Sequence, residues 1–293
     1  MKISELFQTK RVLSLEIFPP KRTDSVDTIY HAIEELKNLN PDFISVTYGA
    51  GGKLHNAQTL QIASALKNRF GIESVAHLPC INFTREEALQ MLRSLKRAGI
   101  ENILALRGDI NPDCPRKTDF EYASDLVSFI RENADFHIIA ACYPEGHREC
   151  DSIVEDIRNL KRKVDAGVNH LITQLFFDNH YFYTFLERAR IAGIDVPIEA
   201  GIMPVVNKKQ IERIVSLCGV TLPEKFLSVM ERYEHNPTAL REAGIAYAVD
   251  QIVDLMAHDV DGIHLYTMNN PYVAYKIYEQ CREEFAIFQS VTA

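Results

Sequence analysis

The chain has 293 residues, of which 46% are hydrophobic and 25% are charged, and its formal net charge is −8. This composition is typical of a folded protein with a large apolar core, and the negative charge argues against binding of nucleic acid or of an anionic membrane surface. No apolar run reaches the ~18 residues that a membrane span needs, and segment 1–6 carries a glutamate where a signal peptide would be continuously apolar, so we expect a cytoplasmic protein.

Short apolar segments rich in β-forming residues alternate with amphipathic helical segments along the chain. The pattern predicts eight strands, over residues 12–18, 43–48, 74–80, 102–107, 137–143, 170–177, 197–203 and 262–268. It predicts helices between them, among others over 26–39, 57–70, 85–98, 122–133 and 153–166. Several helical segments are followed by a glycine of the kind that caps a helix, at Gly71, Gly99, Gly167 and Gly193.

Apolar strands separated by helices indicate parallel pairing with helical crossovers, and eight such units indicate a closed α/β fold, the (β/α)8 TIM barrel. A doubly wound open sheet is the alternative, but it would carry a glycine-rich loop where this chain has Phe-Pro-Pro-Lys at 18–21. Between strands seven and eight the pattern predicts extra helices near 208–217, 223–233 and 237–257, for oligomerisation or as a wall of the site. No linker divides the chain, so we expect one catalytic domain over 1–293.

Six cysteines are scattered along the chain without a paired framework, at Cys80, Cys114, Cys142, Cys150, Cys218 and Cys281. This distribution is that of reduced thiols in a cytosolic enzyme. Cys142, His147 and Cys150 lack both a structural zinc spacing and a second pair of ligands. We therefore expect no metal site.

Polar residues are concentrated at the C-terminal ends of the predicted strands, where the active site of such a barrel lies. They are Glu16, His77, Asp109, Tyr143, Glu145, His147 and Gln174. Glu16 has apolar sequence neighbours, and burial among apolar groups favours the protonated carboxyl that a general acid needs; the alternative is a carboxylate ion-paired inside the barrel. Asp109 either caps the segment that follows it or lies beside a ligand, because Gly108 allows the backbone a close approach.

The segment 156–163 places Asp156, Asn159 and Lys163 on nearly one face of a predicted helix, with Arg162 beside them. Two interpretations are open: a solvated helix surface or, in a protein of net charge −8, a local basic site for a diphosphate group. The glycine-rich loop 49–52 adds backbone that could approach a cofactor closely.

Nine segments, in order from about residue 12 to about residue 276, resemble those of the bacterial methylenetetrahydrofolate reductases. They are LEIFPP at 15–20, SVTYGA at 45–50, AHLPC at 76–80, LALRGD at 104–109, YASDL at 122–126, YPEGH at 143–147, LKRKVDAG at 160–167, ITQLFFD at 172–178 and GIMP at 201–204. Because these motifs span nearly the whole chain, the resemblance is highly specific.

The resemblance implies a barrel that holds FAD at the strand ends. It implies a ping-pong reaction in which reduced nicotinamide, NADH rather than NADPH, and methylenetetrahydrofolate use the same flavin face in turn. The product, 5-methyltetrahydrofolate, would supply methyl groups for methionine biosynthesis, and the enzyme would be a homo-oligomer, a tetramer rather than a dimer. The implied flavin contacts are Tyr48, Ala50, His77, Arg107, Gly108, Asp109, Ala123, Tyr143, His147, Cys150, Asp156, Asn159, Arg162 and Lys163.

The resemblance also implies roles at the substrates. Thr47 and Gln174 would meet the nicotinamide, and Gln174, Gln210 and Asp109 would meet the folate. Glu16 would protonate N10 of the folate to open its five-membered ring. Asp109 would hold the pterin, balance the cationic intermediate and lower the electron affinity of the flavin.

Two positions depart from the family's pattern. Asn270 stands where the family commonly has an arginine, so a charged contact to the glutamate tail of the folate is missing or supplied elsewhere. Cys150 stands where a small residue such as alanine is more familiar, so we expect it to contact the flavin through its backbone.

Two alternative functions remain to be distinguished from a reductase. A Schiff-base aldolase needs a lysine that points inward at a strand end. A non-catalytic flavin or folate carrier has no need of Glu16.

Overall fold

The computed structural model describes residues 1–20, 25–48, 53–109, 116–207, 209–211 and 218–290, and at 53–56 it describes the backbone only. Eight parallel strands form a closed barrel in the order of the sequence. They are β1 (Val12–Ile17), β2 (Phe43–Val46), β3 (Glu73–Pro79), β4 (Asn102–Leu106), β5 (His137–Cys142), β6 (His170–Thr173), β7 (Ile198–Ile202) and β8 (Gly262–Tyr266). The last strand pairs with the first, with Ser14 beside His264 and Glu16 beside Tyr266. The predicted (β/α)8 barrel is confirmed.

The sixth strand is the one whose predicted end differs most from the structure. The prediction extends it to residue 177, but β6 ends at Thr173. The apolar residues that follow it stay buried because Phe176 stacks on Phe182, with ring centroids 5.5 Å apart, and Phe177 packs on Phe226 at 4.5 Å. The apolar run of β6 thus continues beyond the end of the strand, into a loop whose phenylalanines pack against helices.

Helices lie on the outside of the barrel. Those in the described residues are α1 (Val26–Leu36), α2 (Lys53–Ala65), α3 (Arg85–Arg97), α4 (Ala123–Asn133), α5 (Ile153–Asp165), α6 (Asn179–Ile191), α7 (Glu224–Tyr233), α8 (Pro237–Ala257), α9 (Pro271–Gln280) and α10 (Arg282–Ser290). The predicted glycine caps are confirmed, since Gly71, Gly99, Gly167 and Gly193 have φ values of 71°, 78°, 121° and 74°. None of the helices in the described part of the chain has the length and apolarity needed to cross a bilayer.

Two of the three extra helices predicted between β7 and β8 are present as α7 and α8, whereas the prediction at 208–217 falls mostly outside the described residues. The Tyr247 hydroxyl on α8 donates to the Phe177 carbonyl oxygen at 2.6 Å. Gln251, one turn further along, donates from Nε2 to the Phe176 carbonyl at 3.2 Å. The extra helices are thus fastened to the loop that follows β6, where they wall the C-terminal end of the barrel.

Gly244 is a point where α8 approaches the barrel closely. A Cβ there would lie 1.7 Å from the Val205 carbonyl oxygen, and a backbone atom cannot swing aside as a flexible side chain can. We expect Gly244→Ala to lower the free energy of unfolding by about 3 kcal/mol, as overpacking does at its upper range. Gly99→Ala is the matched control, because no atom lies within 4 Å of its Cβ and only its left-handed backbone costs about 1 kcal/mol. Equal losses of the two variants in urea unfolding would contradict the close approach.

The interior of the barrel contains one apolar and one polar set of residues. The apolar set joins side chains of six strands with two from the N-terminal segment, and it consists of Ile3, Phe7, Val12, Phe43, Val75, Leu104, Ile139 and Ile172. The polar set is at most 1% exposed and consists of Ser14, His137, His170, Glu199 and His264. We call this polar set the polar column.

Candidate active site

Glu16 lies at the C-terminal end of β1, and 20% of its side chain is exposed. Its Oε2 atom lies 3.6 Å from Nε2 of His77 on β3 and 3.9 Å from Nε2 of His264 on β8. Its neighbours Leu15 and Ile17 belong to the core between strands and helices, because alternate residues of a strand face opposite sides of the sheet. The predicted apolar surroundings of Glu16 are therefore wrong, since its partners inside the barrel are imidazoles.

His77 faces Glu16 as a neutral group. Its side chain is 6% exposed, and burial lowers the pKa of the imidazole to about 4, although the Glu16 carboxylate opposes this shift. At neutral pH the ring therefore supplies no fixed positive charge to the carboxyl. His77 is therefore not the cation that the alternative interpretation, an ion-paired Glu16 carboxylate, requires.

The loop after β8 fixes the backbone around Glu16. The Thr267 hydroxyl donates to the Glu16 carbonyl oxygen at 2.7 Å. The Asn269 side chain accepts from the Phe18 N–H at 3.0 Å and donates to the Phe18 carbonyl oxygen at 2.8 Å. Met268 and Asn269 have φ values of 52° and 53°, a left-handed conformation that asparagine tolerates better than most residues. From the sequence, only Asn270 of this loop is a candidate site residue; the contacts of Thr267 and Asn269 with Glu16 and Phe18 are not predicted, although the asparagine pair at 269–270 could have marked them.

A cavity of 690 Å³ opens where β4 and β5 end, between α4 and α5. The predicted flavin contacts that line it are Arg107, Ala123, Tyr143, His147, Cys150, Asp156, Asn159, Arg162 and Lys163. Charged side chains of the lining that belong to none of the nine motifs or to the predicted basic helix are Arg116, Glu121, Glu149 and Glu155. The structure thus brings together residues from four of the nine motifs and from the predicted basic helix.

Lys163 is the half-buried cation of this cavity. Its Nζ donates to the Ala141 carbonyl oxygen at 2.6 Å, and burial lowers the pKa of the ammonium group. Asp156, one of its neighbours, accepts from the His147 N–H at 3.2 Å, while burial raises the pKa of that carboxyl. An ammonium group has three donors, so Lys163 can bind an anion in the cavity while it keeps its contact with the backbone.

Arg107 is paired with Glu149 at the rim of the cavity. Its two terminal nitrogens donate to the two carboxylate oxygens at 2.5 and 2.8 Å, a bidentate arrangement. This pairing lowers the pKa of Glu149 to about 2 and raises that of Arg107. An anionic ligand at this rim would compete with Glu149 for the guanidinium group.

Three further polar side chains of the cavity, two on α5 and one before it, are linked by hydrogen bonds. Arg162 donates to the Asn159 side-chain oxygen at 2.8 Å, and Asn159 donates to the Cys150 sulfur at 3.6 Å. Cys150 therefore uses its side chain as an acceptor within the protein. Across the cavity, the rings of Tyr143 and His147 meet edge to face with centroids 4.7 Å apart, and burial raises the pKa of Tyr143.

Asp109 is exposed, just beyond β4. The glycine before it, Gly108, has a φ of 93°, and a Cβ there would lie 2.8 Å from Pro79 Cβ and 3.1 Å from Ile81 Cγ1. Gly108 thus packs closely against the end of β3 and the residues after it, and its approach to a ligand stays a prediction. Ala50 and the rest of the glycine-rich loop 49–52 lie outside the described residues.

The positions predicted to meet the substrates lie at several strand ends. Thr47 follows β2, and its carbonyl accepts from the Thr59 hydroxyl at 3.1 Å. Gln174 follows β6 and folds back, so that its Oε1 accepts from the Leu175 N–H at 2.9 Å. Gln210 lies beyond β7, where its Oε1 accepts from the Val206 N–H at 3.0 Å. Neither glutamine donates from its amide nitrogen to a described residue, so each has amide donors to offer a ligand.

Two other predicted positions have structural partners. The ring of Tyr48 meets Phe83 edge to face, with centroids 5.6 Å apart. Asn270 is the N-cap of α9, where its side chain accepts from the Val273 N–H at 3.3 Å. Asparagine, which stands here in place of the family's common arginine, thus caps the helix.

Comparisons with known proteins agree on one family. The model of the methylenetetrahydrofolate reductase family matches residues 2–282. The chain is 38% identical to 5,10-methylenetetrahydrofolate reductases from Pectobacterium carotovorum subsp. carotovorum and from Escherichia coli (strain K12), over 90% of this chain and 88% of each relative. It is 35% identical to methylenetetrahydrofolate reductase (NADH) 1 of Arabidopsis thaliana, over 89% of this chain and 47% of that one.

A solved structure shares the fold. It is that of an uncharacterized protein from Clostridium thermocellum that binds two copies of 5-methyl-5,6,7,8-tetrahydrofolic acid, with a TM-score of 0.70, 16% identity and coverage of 96% of this chain and 97% of that one. At this identity the likeness concerns the barrel alone. The family match and the bacterial relatives carry the assignment: the chain belongs to the methylenetetrahydrofolate reductase family of oxidoreductases.

Proposed function

We propose that the protein reduces 5,10-methylenetetrahydrofolate to 5-methyltetrahydrofolate, with FAD as the resident cofactor and NADH as the electron donor. The observation that supports this most directly is a carboxyl group, Glu16, at the mouth of a barrel that also holds a cavity of 690 Å³ with arginine and lysine side chains in its wall, in a chain of this family. The supply of methyl groups for methionine, a cytoplasmic location, a homotetramer and a single catalytic domain over 1–293 belong to the same proposal.

The residues of the cavity fit FAD. Its volume is within the range of small-molecule sites, and four cations line it, namely Arg107, Arg116, Arg162 and Lys163. A diphosphate is recognised by such donors. The rings of Tyr143 and His147 add apolar surface for a planar group. When bound, FAD supplies two-electron hydride transfer between the nicotinamide and the folate.

Glu16 would donate a proton to N10 of the folate, which opens the five-membered ring and leaves an electrophilic iminium at N5. The neutral His77 favours this, because no fixed positive charge at 3.6 Å holds Glu16 as a carboxylate. The Thr267 and Asn269 hydrogen bonds hold the backbone from Glu16 to Phe18. Proton donation by a positioned acid is the step for which Glu16 is placed.

The other predicted residues would bind and orient. Asp109, an exposed carboxylate near the cationic rim, would hold the pterin and balance the positive charge of the iminium. Gln174 and Thr47 would meet the nicotinamide, and Gln174 and Gln210 would meet the folate through their amide groups. Because Asn270 caps α9, any charged contact to the glutamate tail would come from another residue.

One anaerobic experiment tests the proposal. The purified protein is expected to be yellow, to lose its flavin absorbance on addition of NADH, and to regain it on addition of methylenetetrahydrofolate with formation of 5-methyltetrahydrofolate. A colourless protein that binds no added FAD would contradict the cofactor. A flavin that NADH bleaches but the folate cannot reoxidise would contradict the substrate.

A further inference from the structure

The polar column crosses the interior of the barrel and ends at Glu16. His137 Nε2 lies 2.7 Å from His170 Nδ1, and His170 Nε2 lies 3.1 Å from Glu199 Oε1. The other oxygen of Glu199 is in short contact with the hydroxyl oxygen of Ser14, which lies 2.6 Å from His264 Nδ1. The remaining nitrogen of His264 faces Glu16 at 3.9 Å. The mechanism above uses none of these five buried side chains.

Burial keeps most of the column uncharged at neutral pH. It lowers the pKa of His137 to about 2 and that of His170 to about 3. It raises the pKa of Glu199 to about 8, although His264 and Ser14 oppose that shift. Gly262 leaves the space for this acid, because a Cβ there would lie 2.9 Å from Glu199 Cγ. Glu199 is thus a neutral carboxylic acid in a position built for its side chain.

The partners of the two Glu199 oxygens decide which of them carries the proton of the neutral acid. Glu199 Oε1 and His170 Nε2 lie 3.1 Å apart, but neither atom has a hydrogen-bond partner among the described residues. The Ser14 hydroxyl is the hydrogen-bond partner of the other oxygen, Oε2. A buried O–H without an acceptor is costly, so the proton of Glu199 belongs on Oε2, which faces Ser14.

We propose that Glu199 is a positioning residue for Glu16: it donates to Ser14, Ser14 donates to His264 Nδ1, and His264 therefore presents an Nε2–H to Glu16. This inference rests on the proposed role of Glu16 in the folate half-reaction. When Glu16 gives its proton to N10, the partial positive charge of that N–H at 3.9 Å stabilises the new carboxylate. In the opposite tautomer a lone pair would face the carboxylate and repel it.

Ionisation of Glu199 reverses the arrangement. As a carboxylate it accepts from the Ser14 hydroxyl, Ser14 then accepts from His264 Nδ1–H, and the lone pair of Nε2 faces Glu16. The groups around Glu199 are Ser14 on β1, His170 on β6 and His264 on β8, with the carboxylates of Asp42 and Asp261 further away. Because the raised pKa of Glu199 is about 8, the folate half-reaction is expected to slow above that pH.

Two variants of Glu199 and a matched serine pair test the proposal in stopped-flow experiments. Glu199→Gln keeps a donor to Ser14 that cannot ionise, so folate reduction is expected to stay near the wild-type rate at pH 7 and to lose the decline above pH 8. Glu199→Met and Ser14→Ala break the link and are expected to slow folate reduction roughly tenfold without slowing flavin reduction by NADH. Ser45→Ala, which removes another buried barrel hydroxyl, is expected to change neither.

Nitrogen NMR of protein labelled at histidine reports the tautomer without any turnover. The His264 signals, identified by their loss in His264→Gln, are expected to show a protonated Nε2 in the wild type and in Glu199→Gln, and to change in Glu199→Met. A protonated Nδ1 in the wild type at pH 7 would overturn the proposal whether or not the protein reduces folate. Equal kinetics of Glu199→Met and the wild type would overturn the link to Glu16 while the proposed function stands.

Discussion

Replacing Glu16 with glutamine is expected to slow the reduction of methylenetetrahydrofolate by roughly 10²- to 10⁴-fold, the range that a positioned general acid contributes. Glutamine keeps the size and polarity of the side chain but has no proton to give to N10. Flavin reduction by NADH is expected to stay near the wild-type rate, because that half-reaction does not involve N10. The two rates are measured separately in an anaerobic stopped-flow instrument.

The control for this variant is Glu35→Gln, which makes the same chemical change on the exposed face of α1. It is expected to leave both half-reactions at wild-type rates. If Glu16→Gln slowed both half-reactions equally, the carboxyl would be acting on flavin binding or on the fold, and its assignment as the acid would be wrong. Unfolding curves of Glu16→Gln show whether the substitution destabilises the fold.

Replacing Lys163 with methionine is expected to weaken FAD binding roughly 10- to 150-fold, the equivalent of about 1.5–3 kcal/mol for a hydrogen bond with a charged donor. Methionine retains most of the apolar stem and removes the ammonium group from the cavity. The half-buried position makes the effect larger than at the surface, where solvent screens a charge. Titration of the apoprotein with FAD, followed by the quenching of flavin fluorescence, gives the two dissociation constants.

Lys161→Met is the matched control on the same helix, since Lys161 is paired with Asp165 and does not line the cavity. It is expected to bind FAD as the wild type does. If Lys163→Met and Lys161→Met bound FAD with equal affinity, the cavity would not be the diphosphate site. Thermal unfolding of both apoproteins shows how much the lost contact between Lys163 and Ala141 changes stability.

The barrel could be predicted because each strand carries its own apolar signal and each helix its own period and cap. The strand ends were harder to place, and β6 shows why. Phe176 and Phe177 continue the apolar run after Thr173, although they pack on helices rather than in the sheet. A short apolar segment is expected both for a strand and for a buried loop, so the sequence pattern does not distinguish the two.

The site could be predicted where its residues share a motif or a helix face. Asp156, Asn159 and Lys163 line one cavity, as their spacing on α5 indicates. The surroundings of Glu16 could not be predicted in this way, because His77 and His264 reach it from strands far apart in the sequence. Such neighbours are set by the register of the barrel, which no local pattern encodes.

The polar column was missed for a similar reason, although it has a signal. Ser14, Glu199 and His264 lie inside mainly apolar strands, and His137 and His170 are the first residues of theirs. Taken one at a time, each is a single polar residue in a strand. Taken together at inward-facing positions, they indicate a buried network that must satisfy its own hydrogen bonds.

The pairing of β1 with β8 joins segments that lie 250 residues apart in the sequence. Until residues 262–266 have left the ribosome, the edges of β1 and β7 have no partner and remain open to pairing with other chains. The loop that holds Phe18 emerges later still, at Thr267 and Asn269. The proposed proton donor is therefore synthesised long before the residues that hold it in place.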